Sequence, residues 1–178
     1  MSSVMKSLIF DIETNGLLLD VSKFWVGITY CIETKEEKVY YNAKDLAIDL
    51  NKATTIIGHN IIGYDIPALK ILCGIEITTP VIDTLLLAKL AYYDKDKSWG
   101  HSLDAYGERL GEPKGKHNDW SKYTKEMEVY CKQDVKVTYK LYKHLKRKTV
   151  WLPETALQLE QDVQKIVTKQ YLSGWKFN

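Results

Sequence analysis

The order of the apolar runs constrains this chain most. Short runs rich in β-branched and aromatic residues come first, and helix-period segments dominate after residue 60. Residues 7–12, 24–31 (FWVGITYC) and 38–41 (KVYY) read as strands. They lie close in sequence, with a turn-like ETKEE before the third, so they predict an antiparallel meander. Residues 43–52 carry apolar side chains at 43, 46, 47 and 50, the stripe of an amphipathic helix. Residues 54–58 (TTIIG) are continuously apolar toward their end, as a central strand covered on both faces requires. A helix over 65–73 follows, with Pro67 tolerated in its first turn. Then come a short strand at 79–82 and a helix to residue 92 that Asp83 can cap. A polar loop at 93–100, a short helix at 102–110 and a loop at 112–121 precede the longest helix, 124–148. Pro153 breaks the pattern before a last amphipathic helix over 155–171, apolar at 156, 159, 163, 166, 167 and 171. The fold class predicted is α/β, in three layers. Its mixed central sheet has about five strands, three antiparallel and then parallel, with flanking helices. Strand order does not follow from the pattern.

At 178 residues the chain has room for one domain and a short appendage. Its 45% hydrophobic and 27% charged residues exclude a disordered or fibrous chain. No apolar run approaches the ~18 residues of a membrane span. The opening MSSVMKSLIFDIE meets Asp11 too early for a signal peptide. Cys31, Cys73 and Cys131 are scattered and odd in number, so neither a disulfide framework nor a zinc knuckle is expected, and a reducing cytoplasm fits. Net charge is only +2, but it is divided unevenly. Residues 1–113 hold 11 basic and 16 acidic side chains, while residues 114–148 hold 11 and 4. An acidic half beside a basic segment suits metal-binding carboxylates next to a polyanion groove, although a Lys-rich solvated helix face has the same composition.

Three acidic motifs give the chain its chemistry. Asp11 and Glu13 are spaced i, i+2 at the end of the first strand, which sends both carboxylates from one face about 7 Å apart. Such a pair either lies in solvent or is neutralised by a cation, and hard cations such as Mg²⁺ take oxygen ligands. Asn60 and Asp65 lie in GHNIIGYDIPAL, between a strand and a helix, where open α/β sheets bind ligands. Asp65 there also suits a helix N-cap. Tyr130 and Asp134 are spaced i, i+4 on a helix face continued by Val137, Thr138, Leu141 and Leu145. That face is apolar, so Asp134 points inward and needs a partner.

In this order the motifs D-x-E, N-x4-D and Y-x3-D resemble the DEDD superfamily of 3′→5′ exonucleases, in the subclass with tyrosine in the third motif. DIETNGLLLDVSKFWVGITY, YDIPAL, IDTLLLAKLAY, HSLDAYGERLGEPKG and YCKQDVKVTYKL extend the likeness. Together they resemble the N-terminal proofreading domain of phage family A replicative DNA polymerases. The resemblance implies an RNase H-like fold, an exonuclease domain over residues 1–148, and a connector helix over 149–178 like the start of the polymerase thumb. It implies a metal-dependent exonuclease that releases nucleoside 5′-monophosphates from single-stranded or frayed DNA 3′ ends. No polymerase active site is expected in this chain. By match, Asp11, Glu13 and Asp134 hold one divalent ion, Mg²⁺ or a substituting Mn²⁺. Asp11 bridges to a second ion, which Asp65 supports. Tyr130 orients the attacking water. Thr14 and Leu17 meet the terminal nucleotide, Leu17 as a wedge, and Asn60 and Tyr64 line the same cleft. Lys114 and Lys116 are candidates for phosphate contact. Tyr92, Tyr93 and Trp99 are candidates for base stacking, but each taken alone reads better as a surface or core aromatic. His59 and His101 read as structural. The expected partners are a DNA 3′ end and a polymerase domain, in cis or as a separate chain, with no membrane and a monomer in the host cytoplasm. Two alternatives stand beside it: an exoribonuclease, which uses the same four acids and Tyr, and an inactive module that only binds nucleic acid or docks at the replisome, usually signalled by loss of acids that are all present here.

Overall fold

The computed structural model describes residues 6–113 and 115–174. The expectations for Lys114 and for the closing residues 175–178 lie outside the described residues. Five strands form one sheet in the order β3-β2-β1-β4-β5. β1 (Ser7–Thr14), β2 (Phe24–Cys31) and β3 (Glu37–Tyr40) make the antiparallel meander. β4 (Thr55–Gly58) runs parallel to β1, and β5 (Val81–Asp83) parallel to β4. The three-layer α/β expectation therefore holds.

β1 is central, and the period of a strand sorts its side chains. Leu8, Phe10 and Ile12 enter a core with Leu46, Leu50, Ile56 and Leu69. That core is covered by α1 (Ala43–Leu50) and α2 (Asp65–Cys73). Ile9 enters the opposite core with Val26, Ile28, Ile57, Met127 and Cys131, beneath α5 (Lys125–Lys148). α3 (Thr84–Ala91) and α4 (Leu103–Arg109) pack on the rest of α5 through Leu87, Leu103, Tyr106, Val137, Leu141 and Leu145. Asp11 and Glu13 share the odd parity of Ile9, so the pleat aims them toward α5.

Two local devices open the end of the sheet near those acids. β4 pairs with β1 only at Ser7–Ile9, so β1 continues past it. The chain then turns sharply after Gly58. A Cβ there would lie 2.2 Å from Ile61 Cγ2 and 3.0 Å from the Phe10 carbonyl, so only glycine permits the close approach. Asp83 fixes that turn. Its carboxylate accepts the amides of Asn60 (2.9 Å) and Ile62 (3.1 Å) and also caps α3 through Leu85 (2.9 Å).

Several boundaries differ from the sequence reading. β1 runs two residues beyond the expected 7–12, so Glu13 sits in the ladder opposite Val26. The acids mask the alternation that would have marked the extension. The loop at 93–100 contains a 3₁₀ turn, Lys97–Trp99, capped by the Asp96 side chain. The last helix, α6 (Glu154–Ser173), is inverted relative to its pattern. It packs beside α3 and buries polar residues, Gln161 and Thr168, which bond to the Asp83 amide and the Ile62 carbonyl. Leu159, Val163, Ile166, Val167 and Tyr171 stay exposed. Among the described residues no helix is long and apolar enough to cross a membrane.

Candidate functional site

The first-strand acids meet α5 at Cys131. The Cys131 thiol lies 3.4 Å from Asp11 Oδ2 and 3.5 Å from the Asp11 carbonyl. Ligand atoms of Asp11, Glu13 and Cys131 fall within 4.8 Å of one another. Asp134 follows Cys131 by three residues and so shares its helix face. It is 4% exposed, and its charge, with those of Asp11 and Glu13, acts on the Cys131 thiol. Burial and these three carboxylates push that thiol well above its ordinary range. In the absence of a metal the neutral thiol is therefore favoured. The oxygen donors that remain suit a hard divalent cation.

Asp65 comes from the other side of the opened sheet end. The helix N-cap is Tyr64, with no side-chain capping bond, and Asp65 is the first helical residue. The capping role open to it in the sequence is therefore not what it performs. Its carboxyl group is buried, and Oδ1 has no hydrogen-bond partner among the described residues. Burial is the main reason its pKa rises to about 8, and Asp83 and Glu13 raise it further. An orphaned buried oxygen near a second carboxylate is what a missing cation would satisfy.

Beside the acids is a cleft of about 390 Å³ lined by Ile12, Glu13, Thr14, Gly16, Leu17, Tyr64 and Trp120. Tyr64 donates its hydroxyl to the Gly16 carbonyl and bonds to Thr14 Oγ1, which ties the turn after β1 to the start of α2. Leu17 is 73% exposed at this cleft, a large apolar side chain presented to solvent. Of the four expected substrate contacts, Thr14, Leu17 and Tyr64 share this cleft. Asn60 does not line it. Asn60 is exposed on the turn after β4 in a left-handed conformation (φ 63°) that asparagine tolerates.

Sequence reasoning missed Trp120. Its indole N–H donates to Glu13 Oε2 at 2.9 Å, and its carbonyl accepts the Trp25 indole N–H at 2.9 Å. His117, Trp120 and Tyr130 form one aromatic cluster, with ring centroids 5.0 to 6.4 Å apart. Tyr130 is half-buried. The segment bearing His117 and Trp120 is held to α5 at its start by Glu112. The ammonium groups of Lys136 and Lys140 hold that carboxylate down to about 2. A tryptophan in a polar loop carries no periodicity, so nothing in the sequence marked it.

Of the remaining candidates, His59, His101, Tyr92 and Trp99 make contacts within the fold. His59 bonds to Thr84 Oγ1 and the His101 carbonyl, and His101 bonds to the Tyr106 hydroxyl (2.8 Å). Tyr92 and Trp99 stack on each other, and Tyr92 also bonds to His144 at 2.6 Å. Tyr93 and Lys116 are exposed.

No family model matches the chain. It is 31% identical to the DNA-directed DNA polymerase of Escherichia phage T7 over 185 aligned residues, 78% of this chain and 26% of that protein. The chain thus spans about a quarter of the length of its phage relatives. Brucella melitensis NrnC superposes with a TM-score of 0.73 at 20% identity, over 97% of this chain and 87% of its own. Escherichia coli RNase D, an exoribonuclease, superposes with a TM-score of 0.65 at 19% identity, over 90% and 45%. These likenesses show an RNase H-like fold. In sequence the chain is similar to part of the DNA polymerases of phages T7 and T3.

Proposed function

We propose that this chain is a proofreading 3′→5′ exonuclease domain acting on DNA, with Asp11, Glu13, Asp65, Tyr130 and Asp134 as its catalytic set. The observation that carries the reading is the 3.4 Å contact between Cys131 and Asp11 Oδ2. It presses the α5 face that bears Asp134 against the strand face that bears Asp11 and Glu13. Asp11, Glu13 and Asp134 would hold one divalent ion, and Asp11 with Asp65 a second. Such ions lower the pKa of water and offset the charge that builds on the attacking and leaving oxygens of a phosphodiester.

The chain's own residues supply position. Tyr130 orients the attacking water through its hydroxyl and does not take its proton, since a phenol with pKa near 10 is a weak base at neutral pH. Thr14 and Tyr64 bound the nucleotide pocket, and Leu17 wedges beneath the last base. In this reading a terminus must unpair to enter the pocket. Mismatched ends do so at less cost, which gives selectivity without reading the base. Hydrolysis releases a nucleoside 5′-monophosphate and leaves a new 3′ hydroxyl.

Residues 1–148 carry this activity. Residues 149–178 act as a connector toward a polymerase region, which is the partner in cis or in trans. A 5′-labelled DNA strand with Mg²⁺ tests the reading. A ladder shortening from the 3′ end is expected, and an intact strand would return the chain to a binding role. A matched RNA strand cut faster than DNA would reverse the substrate assignment.

A further inference from the structure

Trp120 closes a chain of donors across the site. Indole N–H groups donate and never accept, so the direction of each bond is fixed. Trp25, on β2, donates to the Trp120 carbonyl, and Trp120 donates to Glu13 Oε2, on β1. Glu13 is 7% exposed, so few waters compete for that oxygen. The ring of Trp120 also packs edge-on against His117 and Tyr130. Resting on the nuclease reading above, we infer that Trp120 is a positioning residue. Its indole N–H fixes the Glu13 carboxylate for the divalent ion, and Trp25 in turn fixes Trp120. The metal affinity of the acidic cluster therefore depends on how residues 115–124 sit.

The test is Mn²⁺ titration calorimetry on the full chain without nucleic acid, comparing wild type, Trp120→Phe and Trp25→Phe. Phenylalanine keeps an aromatic ring, removes the donor and is smaller than the indole by its second ring. Loss of an outer-shell partner typically weakens metal binding 10–100-fold, so W120F should bind Mn²⁺ at least about tenfold more weakly. W25F should fall between W120F and wild type. Wild-type affinity in W120F would overturn the inference, as would a loss in W120F with none in W25F. If W120F unfolds below the assay temperature, W25F carries the test by itself, and wild-type affinity there overturns it. Cleavage of a labelled strand by the wild type is scored separately. A wild type that binds Mn²⁺ without cutting overturns the nuclease reading alone, and one that binds no Mn²⁺ overturns both.

Discussion

The side-chain oxygen of Gln161 accepts the backbone N–H of Asp83 at 2.8 Å, which joins the last helix to the end of the last strand. Asp83 in turn holds the amides of Asn60 and Ile62, and Thr168 of the same helix donates to the Ile62 carbonyl at 3.2 Å. The turn that delivers Asp65 is thus fastened from beneath by α6. Replacing Gln161 with Leu leaves the Asp83 amide buried without its acceptor. An orphaned group of this kind costs about 1–3 kcal/mol. At roughly 2–4 °C per kcal/mol for a chain of this size, Tm should fall by several degrees in a calorimetric scan. An unchanged Tm would mean that α6 does not support the turn.

Glu128 gives a second prediction, in acid. Burial alone would raise its pKa, but the Lys125 ammonium (2.7 Å) and the hydroxyls of Tyr41 and Tyr123 (2.8 Å each) hold it down to about 2. A carboxyl group depressed in the folded state stabilises above its unfolded pKa, about 4.3, and loses that contribution as pH falls toward the folded value. Stability should therefore drop between about pH 4.3 and 2. Glu128→Gln should flatten that part of the profile, measured by urea unfolding at stepped pH. The same slope in both proteins would contradict the assignment.

Most of the fold was legible because period-2 and period-3.6 patterns record which face is buried. Phe10 and Ile9, one on each face of β1, and Leu141 and Leu145 on α5 lie where those periods put them. Asp134 was legible for the same reason, as a charge on an apolar stripe. What the pattern hid were contacts between residues distant in sequence. Trp120 reaches Glu13 across 107 positions, and no local rule marks it. The sense of α6 was hidden differently. Its stripe of Leu159, Val163 and Ile166 predicts a buried face, yet Gln161 and Thr168 find backbone partners at the core and turn the helix over.

Leu17 tests the wedge. Its side chain is 73% exposed, so Leu17→Ala should shift stability by no more than about 0.5 kcal/mol. Cleavage of a matched duplex end should slow more than cleavage of a single strand, because only the former must be pried open. Equal slowing on both substrates, in parallel gel assays, would remove Leu17 from that role.

Asp65 ties the electrostatics to the chemistry. Its folded pKa is raised to about 8, by burial first and then by Asp83 and Glu13. A carboxyl group shifted this way binds its proton more tightly folded than unfolded, so it lowers stability increasingly as pH rises from about 3.9 toward the folded value. In a chelator, Asp65→Asn should therefore match the wild-type Tm near pH 4 and exceed it near pH 8. The same variant should lose Mg²⁺-dependent cleavage, because the amide cannot neutralise a cation. A variant that gains metal-free stability and loses cutting is the signature of a carboxylate kept for an ion. A variant that cuts normally would take Asp65 out of the site, whatever its effect on Tm.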